Sequence, residues 1–136
     1  GRQVRDWIYV MDHARGIDAV LRKGKSGEIY NISACEERHN IDLVTQVLGI
    51  LNKPLSLIQH VGDRPAHDRR YALDSTKIQK ELGWKPSYSF EEGLQKTIDW
   101  YLKNESWWKK VRGKDYFNYY KANYDTKFGA TVRAEV

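Results

Sequence analysis

Residues Arg5–Ser33 read RDWIYVMDHARGIDAVLRKGKSGEIYNIS, and this stretch decides the fold class. From Val4 to Val10 the chain carries aromatic and branched residues in a short run, the composition of an extended strand. Val10, Ala14, Ile17, Val20 and Leu21 then recur at helical spacing, with Asp12 close to the helix start. Gly24 and Gly27 end that helix. Glu28–Ser33 alternates again with branched and aromatic residues, so it reads as a second strand. Strand, helix and strand in succession point to an α/β fold.

Downstream the same alternation continues. A helix is expected from Asn40, where Asn suits the N-cap and Asp42 suits the positive helix end. Leu43, Val44, Val47, Leu48 and Leu51 form its buried stripe, and Pro54 marks its end. A short strand is expected around Leu57 to Val61. Gly62 to Arg70 (GDRPAHDRR) has no apolar period and contains Pro65, so it is a polar loop. Tyr71 to Leu73 reads as extended. Asp74 can cap a short helix that carries Ile78 and Leu82 and closes at Gly83, with Trp84 and Pro86 packing the turn after it. Ser89 and Glu92 have capping-box spacing, S-F-E-E. The helix behind them presents Phe90, Leu94, Ile98, Tyr101 and Leu102 on one face and loosens at Asn104. From Ser106 the chain is aromatic and basic together. Single-stranded nucleic acid can stack on such a segment, yet no RNA-binding motif accompanies it. The reading preferred here is aromatics packed back on the domain, with a loosely ordered end from Asp125 to Val136.

The whole chain has 136 residues, enough for one ordinary domain. Its 23 basic and 18 acidic residues leave a formal charge of +5, which fits solubility and a local anion site rather than a nucleic-acid surface. Cys35 is the only cysteine, so an intrachain disulfide and a Cys-based zinc cluster are excluded, and a reducing compartment, the cytoplasm, is expected. There is no apolar run of membrane-spanning length. The opening GRQVRDWIYV enters a strand pattern at once, without an initiator methionine. The strand count is low for a complete doubly wound sheet. Both features lead us to expect a piece of a longer protein, with apolar surface on the Asp12 to Lys23 helix where a larger sheet would cover it.

Most catalytic signatures are absent. His13, His39, His60 and His67 have no metal-ligand spacing. Gly24-Lys25-Ser26 is not a phosphate loop, because Ala19 stands where the first glycine would be. There is no G-x-S-x-G elbow and no G-x-G-x-x-G fingerprint. Pairing Cys35 with a histidine as a nucleophile has no support in the spacing. An anion site is better founded. Arg5 lies in an extended stretch. Asn40 sits at a helix start, where unpaired backbone N–H groups favour anions. Arg64 and His67 share a Pro-stiffened loop, and guanidinium suits bidentate phosphate contacts. Each arginine taken alone is more often a surface ion-pair residue; the clustering favours Arg64 most.

Four blocks carry a resemblance. They are Arg5–Ser33 as quoted, ERHNID at Glu37–Asp42, DRPAHDRRYALDSTKIQKELGWKP at Asp63–Pro86, and EEGLQKTIDWYLKN at Glu91–Asn104. In this order, over residues 1 to 112, the chain resembles the dTDP-glucose 4,6-dehydratase family of the extended short-chain dehydrogenases/reductases. The resemblance implies the C-terminal substrate-binding portion of an α/β enzyme. Residues from about 8 to 33 would pack on the Rossmann sheet, and residues 113–136 would form an aromatic, basic tail. It implies a dTDP-sugar substrate, NAD held by the N-terminal part of the enzyme, and a homodimer of the full-length protein. It carries the diphosphate and nucleoside contacts onto Arg5, Asn40, Arg64 and His67. It puts no catalytic, cofactor-binding or metal-binding residue in this chain, so the 136 residues alone are expected to be inactive. A related nucleotide-sugar epimerase and a non-catalytic binding module are the other readings. Several positions depart from the family pattern: Met11 replaces a common glutamate, Ser33 and Ala34 replace two glycines, and Ala66 replaces a glycine before His67.

Overall fold

Val4–Asp6 forms strand β1, and everything that positions the polar loop hangs on it. The computed structural model describes residues 1–60, 62–63, 65–113, 116, 118 and 119. On one side β1 pairs antiparallel with β2 (Glu37–His39), in the register Val4 to His39, Arg5 to Arg38 and Asp6 to Glu37. On the other side the Arg69–Tyr71 segment runs beside it in parallel. Val4 N–H donates to Arg69 O at 2.8 Å, and Tyr71 N–H donates to Val4 O at 3.1 Å. The fold is thus α/β, with a small antiparallel sheet surrounded by helices.

Helix α1 (Val10–Lys23) starts where the sequence pattern predicts, with Tyr9 as its cap residue and Gly24 at its end. Its apolar stripe lies largely open, as expected of a helix that a larger sheet would cover. Asp12 and Gly16 are buried, with Ala19 and Val20 packed on the core, while Val10, Ile17 and Leu21 are exposed. The reason is a close approach at Gly16, where a Cβ would stand 2.8 Å from Ile32 Cγ2. The Glu28–Ser33 segment therefore lies against the small-residue face of α1. Tyr30 and Ile32 pack there, onto a buried cluster of Ile78, Leu82 and Trp84. This segment is not a strand. Its alternation is real, with Ile29 exposed and Ile32 half-buried, but no strand among the described residues pairs with it.

Helix α2 (Asn40–Ile50) begins at the expected residue, but His39 is its cap residue and Asn40 is its first helical one. None of its predicted stripe is fully buried, and Val44 is exposed. After Pro54 the chain makes a 3-10 turn at Leu55–Leu57 rather than a strand. Local bonds from Leu57 N–H to Pro54 O and from Ile58 N–H to Leu55 O occupy the backbone groups that a ladder would need. Val61, the last residue of that predicted strand, lies outside the described residues.

Helix α3 (Thr76–Leu82) is short, and its core residue Ile78 is fully buried. Burial of that side chain contributes about 2–3 kcal/mol. Ser75, not Asp74, is its cap residue, but Asp74 Oδ1 still accepts from Thr76 N–H at 2.8 Å, and Gly83 leaves the helix in the left-handed region at φ 69°. Helix α4 (Phe90–Lys103) carries the predicted capping box. Ser89 N–H donates to Glu92 Oε2 at 2.9 Å, and Glu92 N–H donates to Ser89 Oγ at 3.2 Å. Phe90 and Ile98 on its apolar face are buried, while Tyr101 and Leu102 are exposed. Helix α5 (Glu105–Val111) turns back on α4. The Trp107 ring meets Trp100 edge-on at 5.3 Å, and Trp108 Nε1 donates to Tyr101 O at 3.0 Å. Most of the predicted tail, residues 114, 115, 117 and 120–136, lies outside the described residues.

The capping box makes a pH prediction. The Ser89 backbone N–H and hydroxyl hold the Glu92 carboxyl below its ordinary 4.5 against a small opposing effect of burial. A carboxyl depressed in the folded state contributes stability above its unfolded value, and that contribution is lost as pH falls through the folded value. Glu92→Gln is therefore expected to shrink the loss of urea-denaturation midpoint between about pH 6 and about pH 3. An acid-induced loss of the same size in both proteins would contradict it.

Candidate functional site

Strand alternation sets the site. Gln3 and Arg5 are two residues apart, so they share one face of β1. Asn40 N–H donates to Gln3 O at 3.0 Å, which extends the β1–β2 register by one pair and sets Asn40 across from Gln3. Directly opposed residues of an antiparallel pair lie on the same face. Three of these positions, Gln3, Arg5 and Asn40, are thus brought together by a ladder only a few residues long.

The polar loop folds over this face because Arg69–Tyr71 is pinned to β1. Arg5 Nη2 lies 3.0 Å from His67 Nε2 and donates to Asp68 O at 3.0 Å. Arg5 Nη1 donates to Val4 O at 2.7 Å, and its guanidinium lies over the Tyr71 ring at 4.6 Å. His67 Nδ1 is 2.6 Å from Asp63 Oδ1, and Gln3 Nε2 donates to Asp63 Oδ2 at 2.7 Å. Gln3 is almost fully buried. On the opposite face Arg70 makes a two-pronged contact with Glu37, at 2.5 and 2.6 Å. Its guanidinium keeps the Glu37 carboxyl below the ordinary range. Arg70 is therefore a brace between loop and sheet, while Arg5 and, across from it, Arg38 take the other face, where Arg38 pairs with Glu36 and Glu91.

Ala66 takes φ 54° immediately before His67. A non-glycine residue in this left-handed region costs about 1–2 kcal/mol, so the turn that delivers His67 to Arg5 is held by its surroundings and not by local preference.

The structure brings Arg5 and His67 into contact and sets Asn40 on the same face. Arg64 lies outside the described residues. The expectation for Asn40 changes in its chemistry. The backbone N–H groups of Asn40 and Ile41 are not open to an anion, because they donate to Gln3 O and Gly1 O. What remains is the side chain, whose Oδ1 is buried with no hydrogen-bond partner. Such an orphan acceptor carries a desolvation cost that a donor arriving on a ligand relieves. Gln3, Asp63, Asp68 and Tyr71 were not singled out from the sequence. The two-residue spacing of Gln3 and Arg5 was a readable signal for the first. The others depend on how the loop turns.

The remaining sequence candidates stay apart. Cys35, at φ 58°, has Ser33 Oγ at 3.7 Å and Ser75 Oγ at 3.6 Å, and no histidine is among its described contacts. No group of metal-ligating side chains occurs among the described residues, and no helix among them is long and apolar enough to cross a membrane. The turn from β1 to α1 is Trp7-Ile8-Tyr9, without a glycine, so these residues do not form the strand–glycine–helix cradle that a dinucleotide needs.

Relatives agree with this architecture. The family model described as GDP-mannose 4,6 dehydratase matches residues 1–97. A dTDP-glucose 4,6-dehydratase of Shigella flexneri is 45% identical over 92% of this chain, which spans 37% of that protein. The crystal structure of dTDP-glucose 4,6-dehydratase from Bacillus anthracis, in complex with NAD, superposes with a TM-score of 0.76 at 48% identity. It covers 82% of this chain and 35% of its own. The Streptomyces venezuelae enzyme of the same name gives a TM-score of 0.78 at 43% identity, with 82% and 34% covered. The chain thus spans little more than a third of the length of these relatives. It belongs to the GDP-mannose 4,6 dehydratase family, and the relatives that it resembles here are dTDP-glucose 4,6-dehydratases.

Proposed function

We propose that this chain supplies the nucleotide-sugar grip of an NAD-dependent dTDP-glucose 4,6-dehydratase. The observation that carries the reading is the shared face of Arg5, His67 and Asn40: a cation held by an imidazole beside a buried acceptor without a partner. Arg5 offers charge-assisted hydrogen bonds to a diphosphate. The Asn40 amide offers an oriented polar group to the nucleotide. Arg64, by its place in the DRPAH sequence, joins them.

NAD belongs, in this reading, to the segment that fills the rest of the relatives' length, and no redox or proton-transfer step is assigned to residues of this chain. Val10, Met11, Ile17, Leu21 and Ile29 are exposed apolar side chains on or beside α1. We place that face, with the Glu28–Ser33 segment, against the Rossmann sheet of the intact enzyme. Glu28–Ser33 would gain there the strand neighbour that it lacks here. The intact enzyme is read as a cytoplasmic homodimer that binds neither nucleic acid nor membrane.

Turnover tests the assignment. The intact protein with NAD is expected to convert dTDP-glucose to the 4-keto-6-deoxy product, read by its absorbance in base, while the 136 residues alone give none. Turnover of another nucleotide sugar in preference, or epimerisation without loss of water, would replace this reading with that of a related epimerase or dehydratase. Turnover by the 136 residues alone would refute the division of labour.

A further inference from the structure

We propose that Asp63 and Gln3 are positioning residues that lock His67 in its neutral Nδ1–H tautomer and, through it, hold Arg5. The proposal deepens the nucleotide reading, because Arg5 is the cation that reading assigns to the diphosphate. The lock itself is a property of the protein without ligand.

The tautomer follows from which groups can donate. An ionised carboxylate only accepts, so Asp63 Oδ1 at 2.6 Å requires a proton on His67 Nδ1. A guanidinium only donates, so Arg5 Nη2 at 3.0 Å requires a lone pair on His67 Nε2. One protonation state satisfies both contacts, the neutral ring with its proton on Nδ1. The other tautomer sets an unprotonated Nδ1 against a carboxylate and an N–H against an N–H. The imidazolium satisfies Asp63 but opposes Arg5. Gln3 Nε2 also stands 3.3 Å from His67 Nδ1, and with Nδ1 protonated that contact joins two donors. The Gln3 amide is instead spent on Asp63 Oδ2 at 2.7 Å. Its burial fixes the carboxylate, the carboxylate fixes the ring, and the ring fixes one side of the guanidinium.

The chain of contacts changes what His67 does. With its Nε2 lone pair on Arg5 and its Nδ1 proton on Asp63, the ring has no polar atom left for an anion. It acts by aiming Arg5. Among the described residues, neighbouring groups fit this arrangement: Asp68 contacts Arg5 through its backbone carbonyl, its carboxylate accepts from the Tyr71 hydroxyl, the Tyr71 ring lies under the guanidinium, and Arg38, opposite Arg5, is paired with Glu36 and Glu91.

Nitrogen-15 spectra of the intact protein, labelled at histidine and arginine and recorded without nucleotide, test this. His67, assigned by its loss in His67→Gln, is expected to show a protonated Nδ1 and an unprotonated Nε2. Asp63→Ala is expected to move that proton toward Nε2. The Arg5 Nη1 and Nη2 signals, distinct in the unmodified protein, are expected to merge. An Nε2–H tautomer or an imidazolium at neutral pH in the unmodified protein overturns the lock, whether or not the variant folds. An unchanged tautomer in Asp63→Ala also overturns it. Arg5 signals that stay distinct after the tautomer shifts overturn the positioning role. A dTDP titration separates the two ideas: a protein with the Nδ1–H tautomer that binds no dTDP refutes the nucleotide reading and leaves the lock in place.

Discussion

Asp12→Ala is expected to lower the stability of the fold by about 1.5–3 kcal/mol, judged from the loss of hydrogen bonds to a charged group. Asp12 is fully buried, yet it is a carboxylate. Its oxygens accept from Ser87 N–H at 3.0 Å and Tyr88 N–H at 3.2 Å, and from Arg15 one turn along α1. Its backbone carbonyl accepts from Trp84 Nε1 at 3.2 Å. One residue thus ties the first turn of α1 to the turn between α3 and α4. Truncation takes the acceptor from two backbone N–H groups, and since Ser87 is exposed and Tyr88 half-buried, water offsets part of the loss. Arg15 adds little to the total, because its side chain is half-exposed and keeps access to water. Asp12→Asn retains one acceptor but turns its amide N–H₂ toward the second donor, so about half of the loss is expected to remain. Urea midpoints of the two variants at neutral pH measure both effects. A midpoint for Asp12→Ala equal to that of the unmodified protein would mean that these hydrogen bonds add nothing to stability, and that the anchor does not exist.

This residue also shows where sequence reading stopped. Asp12 was legible as a helix-start acid, because that role depends on neighbours within one turn. Its burial was not, since the two N–H groups it serves lie 75 and 76 residues away. The same division runs through the chain. The Ser89–Glu92 box, the left-handed exit at Gly83 and the limits of α1 are local, and the structure has them as expected. The Glu28–Ser33 strand fails because alternation specifies two faces but not a pairing neighbour. The apolar stripe of α1 was legible as exposed surface, but the face toward the core was not, because Gly16, with no side chain, is invisible to a hydrophobic pattern and yet decides which face Ile32 approaches. At the site, Arg5 and His67 were legible from residue type and clustering. Asp63 and Gln3 were not, because their contact spans 60 residues and depends on the turn at Ala66. The helix-start argument for Asn40 misjudged which atoms are available: the β1–β2 register takes its backbone N–H and leaves its amide oxygen.

Arg5→Ala is expected to weaken dTDP binding by the intact protein by about 1.5–3 kcal/mol, the range for a hydrogen bond to a charged group. That is roughly a tenfold to hundredfold rise in Kd. The difficulty is that Arg5 also braces the loop, through Asp68 O and the Tyr71 ring. Truncation could weaken binding merely by loosening the loop that carries His67. The two causes differ in what they do to a ligand without phosphates. Loss of a guanidinium–diphosphate contact leaves thymidine affinity nearly unchanged and lowers dTDP affinity. Loss of loop order lowers both by the same factor. Arg5→Lys sharpens the contrast, because it keeps the charge but cannot present a planar fork to Asp68 O and an anion together. Intermediate dTDP affinity is expected for it, with a steeper dependence on salt than in Arg5→Ala. Calorimetric titration with both ligands measures all of these. Equal losses for thymidine and dTDP would assign Arg5 to the brace alone and move the anion contact to another residue of the loop.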